Sequence, residues 1–162
     1  YPDRAIEDQK LLTYTSDPLL SDMEITGVPV VTLNVASTAN DGAFFVYLED
    51  VAPDGKVTYI TEGELRALHR KVTDQDLGRT VLGPKHSFER KDGELLVPGQ
   101  NTELQIGMYA TSVLIEKGHR IRIAIAGSDT SNFRRIPDTD ATIEVQRNSQ
   151  LFSYVELPIK YR

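Results

Sequence analysis

Apolar and polar residues alternate along much of the chain, which is the pattern of β-strands that bury one face. Val31, Leu33 and Val35 face one way in a first predicted strand, while Thr32, Asn34 and Ala36 between them face the other. The same alternation predicts four further strands, at Phe44/Val46/Leu48, Leu104/Ile106/Met108/Ala110, Ile121/Ile123/Ile125 and Val155/Leu157/Ile159.

Turn residues separate these segments. Ala52-Pro53-Asp54-Gly55 is typical of a tight turn, so residues 43–61 are predicted to form a β-hairpin. Pro158 has no N–H to give to a neighbouring strand, so the last strand is expected at a sheet edge.

Evidence for helices is weak. The amphipathic stretch Leu65 to Lys71 is too short to distinguish a helix from a strand, and Ser112 to Lys117 is expected to make one helical turn before Gly118. Residues Asp74 to Val97 contain several Gly and Pro residues and are interpreted as a long loop or irregular edge segment.

About seven to nine short strands with turns between them predict an all-β fold, a β-sandwich or jelly roll, over one domain of residues 1–162. A chain of this size buries roughly 70% of its unfolded surface, so it needs no metal or disulfide to hold a core. There are no cysteines in the chain, which excludes thiol chemistry and leaves the compartment open.

The charge narrows the classes of partner. A net charge of -6 argues against binding to a nucleic-acid backbone, which requires clustered Lys and Arg. No apolar run approaches the roughly 20 residues that span a bilayer. The start, Tyr1-Pro2-Asp3-Arg4, does not resemble a signal peptide, although the natural gene can carry one upstream.

The chain has no nucleophile elbow of the G-x-S-x-G type. Gly127-Ser128-Asp129 comes nearest, but it has no second Gly and no evident helix follows it. We therefore interpret Ser128 as part of a turn in which Asp129 accepts hydrogen bonds from nearby backbone amides.

No local spacing suggests a metal or another cofactor, and none is expected. His69, His86 and His119 are far apart in sequence and are interpreted as strand or loop residues. The carboxylate pairs Asp74/Asp76 and Asp138/Asp140 are interpreted as solvated loop charge, with a peripheral calcium ion as the alternative.

The most unusual loop is Gly127 to Pro137, which places Phe133 beside Arg134 and Arg135. Phe and Arg are enriched in interface cores, so this loop is one candidate contact surface. The alternative is that Phe133 folds back onto the sandwich edge while the two arginines stay solvated.

Several segments, in order, resemble the C-terminal domain of cocaine esterase-like and X-Pro dipeptidyl-peptidase serine hydrolases. No one motif is specific, but together they cover nearly the whole chain. The matching segments are LTYTSDPL at 12–19, EITG at 24–27, VYLEDV at 46–51 with PDG at 53–55, ITEGELRA at 60–67, 95–99 and 111–122 with KGHRIR at its end.

The resemblance implies a jelly roll of galactose-binding-like type, packed on an α/β-hydrolase domain and a helical cap. The family's catalytic Ser, Asp and His belong to the α/β domain, so none transfers to this chain. The loop after the GHR strand often reads S-S-x-F-P-R-F in the family and approaches the catalytic domain; here its Phe-Pro-Arg core is altered. On this basis Asp129, Phe133, Arg134 and Arg135 are the candidates for an interdomain contact or a pocket wall.

The leading hypothesis is therefore a non-catalytic accessory domain of an ester- or peptide-cleaving serine hydrolase, whose partners are its own α/β-hydrolase and cap domains. A homo-oligomer is left open. The alternatives are a free-standing carbohydrate-binding module, which the absence of Trp disfavours, and an independent enzyme with an unrecognised site.

Overall fold

The computed structural model describes residues 2–78 and 80–160, and β-strands make up most of the regular structure in these residues. Three short 3-10 turns, Glu7–Lys10, Ala67–His69 and Arg90–Asp92, accompany the strands, and the described residues contain no α-helix. The strands are β1 (Leu12–Thr15), β2 (Met23–Gly27), β3 (Val30–Ser37), β4 (Ala43–Val51), β5 (Val57–Arg66), β6 (Thr102–Gly107), β7 (Thr111–Ile115), β8 (Arg120–Ala126), β9 (Ile143–Val145), β10 (Tyr154–Glu156) and β11 (Ile159–Lys160).

The strands form antiparallel sheets that pack as a β-sandwich. One layer is a four-stranded sheet in the order β1-β8-β4-β5. Opposite it lie a sheet in the order β10-β3-β6, in which β9 also pairs with β3, and a three-stranded sheet in the order β11-β2-β7. The predicted β-sandwich is confirmed, whereas the finer assignment to galactose-binding-like jelly rolls stays a prediction.

The main core lies between these layers and contains the residues that the alternation placed on the inner faces. Val31, Leu33 and Val35 of β3 are buried against Phe44 and Leu48 of β4, and each is at most 2% exposed. Full burial of one such side chain contributes about 1.5–3 kcal/mol, so this double row supplies a substantial part of the apolar stabilisation of the sandwich.

Strand β4 is buried on both faces, which simple alternation does not predict. Phe45, Tyr47 and Glu49 point away from the main core, yet Phe45 and Tyr47 join a second apolar cluster with Ala124 of β8. The register places Tyr47 opposite Ala124 and Glu49 opposite Arg122. We call this side of the four-stranded sheet the outward face.

The predicted hairpin is confirmed, and it extends to Arg66 at the end of β5. The backbone N–H of Ala52 donates to the Lys56 carbonyl at 2.9 Å, and Gly55 adopts a φ of 91° in the turn. The amphipathic stretch Leu65 to Lys71, left open between helix and strand, is not a single element. Strand β5 ends at Arg66, and a 3-10 turn follows it.

The helical turn expected at Ser112 to Lys117 is wrong. Strand β7 occupies Thr111–Ile115, because its backbone pairs with β2 from Gly27 to Met23 and the Ile115 side chain enters the core. Within the predicted turn, residues 116 and 117 lie outside the strand. They immediately precede Gly118, which adopts a φ of 86°.

The last predicted strand, at Val155/Leu157/Ile159, is divided into two strands, β10 and β11. Strand β10 pairs only with β3 and β11 only with β2, so the chain changes sheets around Pro158. Both strands lie at sheet edges, as the missing N–H of Pro158 predicted.

The described part of Asp74 to Val97 is irregular, as expected. His86 attaches this segment to the sandwich, because its two ring nitrogens lie 3.2 Å from the Lys71 carbonyl and 3.0 Å from the Gln105 carbonyl. An isolated bridge joins Val72 to His86 in the same place.

Gly63 in β5 supplies a direct test of the packing between layers. A Cβ at this position would lie 2.6 Å from the Gly107 carbonyl oxygen and 3.0 Å from the Met108 Cα, both backbone atoms that cannot move aside. We expect Gly63→Ala to lower the free energy of unfolding by about 2 kcal/mol or more, measured by urea denaturation.

Gly93→Ala is the matched control, because its Cβ would make ordinary contacts at 3.4 Å or more. It should change stability by less than about 0.5 kcal/mol. Equal stability of the two variants would contradict the close approach of β5 to the backbone at Gly107.

Candidate functional site

The outward face is covered by two segments that are distant in sequence. Residues 2–11 cross one part of it, and their Leu11 packs on the second apolar cluster. Residues 127–142 cross another part, where Ile136 packs on the same cluster and its carbonyl accepts a hydrogen bond from the Ala43 N–H at 3.0 Å. The predicted site residues all lie in this second segment.

A buried charge cluster joins the first segment to the sheet. The Glu49 side chain is 0% exposed, and Arg4 donates from Nε to Glu49 Oε1 at 2.5 Å. Arg122 of β8 donates from Nη1 to Asp8 Oδ2 at 2.7 Å, and Arg4 also lies 3.9 Å from Asp8 Oδ1. Two arginines therefore compensate two buried carboxyl groups, which would otherwise be very costly to remove from water.

The pKa of Glu49 is raised to about 7, chiefly by burial and also by the neighbouring Asp8 carboxyl, against the opposing effect of Arg4. Asp8 Oδ1 and Glu49 Oε2 are both buried without another hydrogen-bond partner. The raised pKa of Glu49 therefore follows from its burial beside a second carboxyl group.

Aromatic rings occupy the rest of the outward face. The Arg4 guanidinium lies 4.4 Å from the centroid of the Tyr47 ring, a cation–π geometry. Burial, with smaller contributions from Asp129 and Glu62, raises the pKa of Tyr47 to about 12, so its hydroxyl stays protonated at neutral pH.

Asp129 shapes the start of the loop. Its Oδ1 accepts from the Ser131 N–H at 3.1 Å, and its carbonyl accepts from the Phe133 N–H at 2.9 Å. These are the local hydrogen bonds expected of a turn at Gly127-Ser128-Asp129.

Phe133 folds back onto the sheet, and the two arginines point outward. The Phe133 ring lies 5.0 Å from the Phe45 ring and remains 44% exposed. The Arg134 side chain is 84% exposed, with Asp138 at 3.9 Å, whereas Arg135 donates to Asp140 Oδ1 at 2.8 Å. Phe133 thus lies on the outward face rather than at the sandwich edge.

A polar cleft of about 640 Å3 separates the two covering segments. Its walls include Arg4 and Lys10 from the first segment, Tyr47 from the sheet, and Ser128 and Asp129 from the loop. Of the predicted site residues Asp129 lines this cleft, whereas Phe133, Arg134 and Arg135 lie outside its lining, so their role in a contact or pocket wall stays a prediction. The sequence analysis missed the side of the cleft formed by Arg4 and Lys10, and it missed the buried Glu49 beneath Arg4.

The described residues do not assemble a catalytic triad. No helix follows Ser128, and each histidine has other neighbours: His119 Nδ1 is 2.8 Å from Asp50, His86 contacts two carbonyls, and the His69 ring faces Phe88. The pair His119–Asp50 is the closest approach to a catalytic dyad, but the second ring nitrogen faces Glu116 at 3.9 Å rather than a hydroxyl.

Residues 2–78 and 80–160 contain no group of three or more His, Cys, Asp or Glu side chains placed to hold a metal ion. Asp76 accepts from the Gly78 N–H at 2.9 Å, and Asp138 and Asp140 lie against Arg134 and Arg135. The same residues include no helix that is long and apolar enough to cross a membrane.

Comparison with known families gives one match over most of the chain. Residues 3–153 match the family described as the X-Pro dipeptidyl-peptidase C-terminal non-catalytic domain. The sequence is 49% identical over 159 residues to a protein named as a serine esterase in Mycobacterium bovis, a match that covers 98% of this chain and 25% of the relative. It is 28% identical over 153 residues to the cocaine esterase of a Rhodococcus species, covering 94% of this chain and 24% of that enzyme.

Solved structures share the fold at low sequence identity. The chain superposes on part of an α-amino acid ester hydrolase with a TM-score of 0.81 and 21% identity, covering 98% of this chain and 27% of that one. A CocE/NonD family hydrolase from Staphylococcus aureus gives a TM-score of 0.79 and 16% identity, with 98% and 32% covered. The chain thus spans about a quarter of the length of the curated relatives it matches.

The buried acid pair predicts a specific pH dependence of stability. The pKa of Glu49 in the folded chain is raised above its ordinary value of 4.5, so the folded state is favoured while Glu49 is protonated. The stabilisation of the folded state by the protonated Glu49 carboxyl is complete below about pH 4.5, and it is lost as the pH rises through about 7. Glu49→Gln removes the ionisable group. Between pH 5 and 8 the wild type should lose about 2 kcal/mol of its free energy of unfolding, whereas the variant should keep it.

Urea denaturation at several pH values measures this difference. Glu144→Gln is the control, because the Glu144 side chain is exposed and forms no ion pair among the described residues, and it should follow the wild type. A Glu49→Gln curve that runs parallel to the wild-type curve between pH 5 and 8 would contradict the raised pKa of Glu49.

Proposed function

The chain belongs to the family of X-Pro dipeptidyl-peptidase C-terminal non-catalytic domains, and we propose that it serves as the accessory domain of a larger ester- or peptide-cleaving serine hydrolase. In this role it is one domain, residues 1–162, that packs against the α/β-hydrolase and cap domains of the same polypeptide. In this proposal the catalytic residues lie in the α/β-hydrolase domain.

Two findings support the division of roles. The chain spans about a quarter of the length of relatives named as esterases, so a large part of such a protein lies outside the matched region. The described residues bring no serine, histidine and carboxylate together as a triad. Both are expected if the chemistry belongs to another domain.

The observation that carries the interdomain contact is the exposed side of the 127–137 loop. Phe133 is anchored on Phe45, and Arg134 next to it extends outward with no carboxylate closer than 3.9 Å among the described residues. An anchored aromatic ring beside an exposed arginine is the composition of an interface hot spot. Arg135 and Asp129 hold the two ends of the loop in this position.

Such a contact acts on catalysis through position. A loop held by Asp129 and Phe133 can form one wall of the substrate pocket, where it orients the substrate and excludes water. The outward face makes this wall stiff, because Phe133 rests on a strand that is buried on both faces. Loss of the contact should then lower turnover without removing a catalytic group.

The test replaces the exposed cluster in the full-length parent enzyme. Phe133→Ala/Arg134→Ala/Arg135→Ala should lower kcat/KM for an ester substrate by about tenfold, because the pocket wall is displaced. Hydrogen exchange should also be faster on both sides of the domain contact.

The matched control is Phe88→Ala/Arg90→Ala/Lys91→Ala, which removes one exposed Phe and two basic residues from the irregular segment of residues 74–97. Melting of the 162-residue chain with each triple change checks that the sandwich stays folded. Kinetics and hydrogen exchange equal to those of the control would refute the interdomain assignment.

A further inference from the structure

The edge of the sandwich between β1 and β10 contains a second cavity, separate from the outward face. Strand β1 lies at the edge of the four-stranded sheet, and β10 lies at the edge of the sheet opposite it. The two strands do not pair with each other, so the sandwich is open between them. The cavity has a volume of about 230 Å3 and reaches aliphatic residues of both layers. These residues are Val31 and Leu33 of β3, Ile123 and Ile125 of β8, and Val155 of β10.

The mouth of the cavity is aromatic and carries one positive charge. Tyr14 and Tyr154 line it, and the Phe152 ring packs against Tyr154 with the ring centroids 5.4 Å apart and the planes tilted by 38°. The Arg147 guanidinium lies 5.2 Å from the centroid of the Tyr14 ring. Among the described residues Arg147 forms no ion pair with a carboxylate, in contrast to Arg4, Arg66, Arg70, Arg122 and Arg135.

Little hydrogen-bonding capacity is left inside. The Ser153 hydroxyl donates to the Gln146 carbonyl at 2.9 Å and accepts from the Asn34 N–H at 2.9 Å, so both of its roles are filled. A sugar ring would place several hydroxyl groups against aliphatic walls without partners, at a cost for each one. The walls therefore favour an apolar group, and the mouth favours an anion.

We propose that this cavity binds a small carboxylate with an apolar tail, with the tail between the sheets and the carboxylate on Arg147. A cavity of about 150 Å3 lined by aliphatic side chains holds benzene, so a volume about half as large again suits a tail of about five or six carbons. Filling it restores the van der Waals contacts that the two layers do not make with each other. The guanidinium provides charge-assisted hydrogen bonds to the carboxylate.

This site does not depend on the proposed interdomain contact. The cavity lies between the layers, whereas the 127–137 loop lies on the outward face of the four-stranded sheet. Failure of one proposal therefore leaves the other standing.

The experiment titrates hexanoate into the 162-residue chain and follows the methyl groups by carbon–proton NMR. Hexanoate should shift the methyl signals of Ile123, Ile125 and Val155 in a saturable way, while hexylammonium, with the same tail and the opposite charge, should not. Arg147→Gln should weaken hexanoate binding by about tenfold and leave the weaker binding of 1-hexanol unchanged.

Two further variants keep the test decisive. Arg147→Lys retains the charge and should retain most of the affinity, and Val155→Phe fills the cavity and should abolish binding. Arg90→Gln removes an exposed arginine of the irregular segment and should have no effect.

Three results would overturn the proposal. These are no methyl shift at millimolar hexanoate, equal binding by wild type and Arg147→Gln, or shifts of the same methyl groups by galactose or glucose in place of hexanoate. The last result would assign the cavity to carbohydrate.

Discussion

The ion pair between Arg4 and Glu49 determines how the outward face of the sandwich is built. A carboxyl group in the middle of β4, 0% exposed, is tolerated only because Arg4 donates to it and Arg122 holds the neighbouring Asp8. This requirement brings residues 2–11 across the sheet, where they cover Tyr47 and support the second apolar cluster. The N-terminal segment is thus part of the folded domain rather than an appendage.

Burial of β4 on both faces connects this interaction to the proposed function. The inner face supplies Phe44 and Leu48 to the main core, and the outer face supplies Phe45 as the support for Phe133. A loop that rests on such a strand is held by packing as well as by its own turn hydrogen bonds. It can therefore present Arg134 to another domain at little further cost in conformational entropy. Under the proposed function, this chain would affect chemistry in a separate domain through position alone.

The sequence predicted the parts of the fold that depend on local pattern. Alternation identified the inner faces of β3 and β4, and Pro53 and Gly55 identified the hairpin turn. It was wrong at Ser112, because pairing with β2 is a long-range interaction that overrides a weak local preference. The Arg4–Glu49 pair spans 45 positions, and the cavity at Arg147 forms between strands at opposite ends of the chain, so no local pattern reports either of them.

The most direct test of the central claim is labelling with a fluorophosphonate, which reacts with activated serine. The 162-residue chain and the full-length parent enzyme would be treated side by side, and the labelled peptide identified by mass spectrometry. The account predicts that the parent is labelled on a serine outside this chain and that the chain alone stays unlabelled and without esterase activity. Labelling of the chain itself, at Ser128 or elsewhere, together with ester turnover, would contradict it.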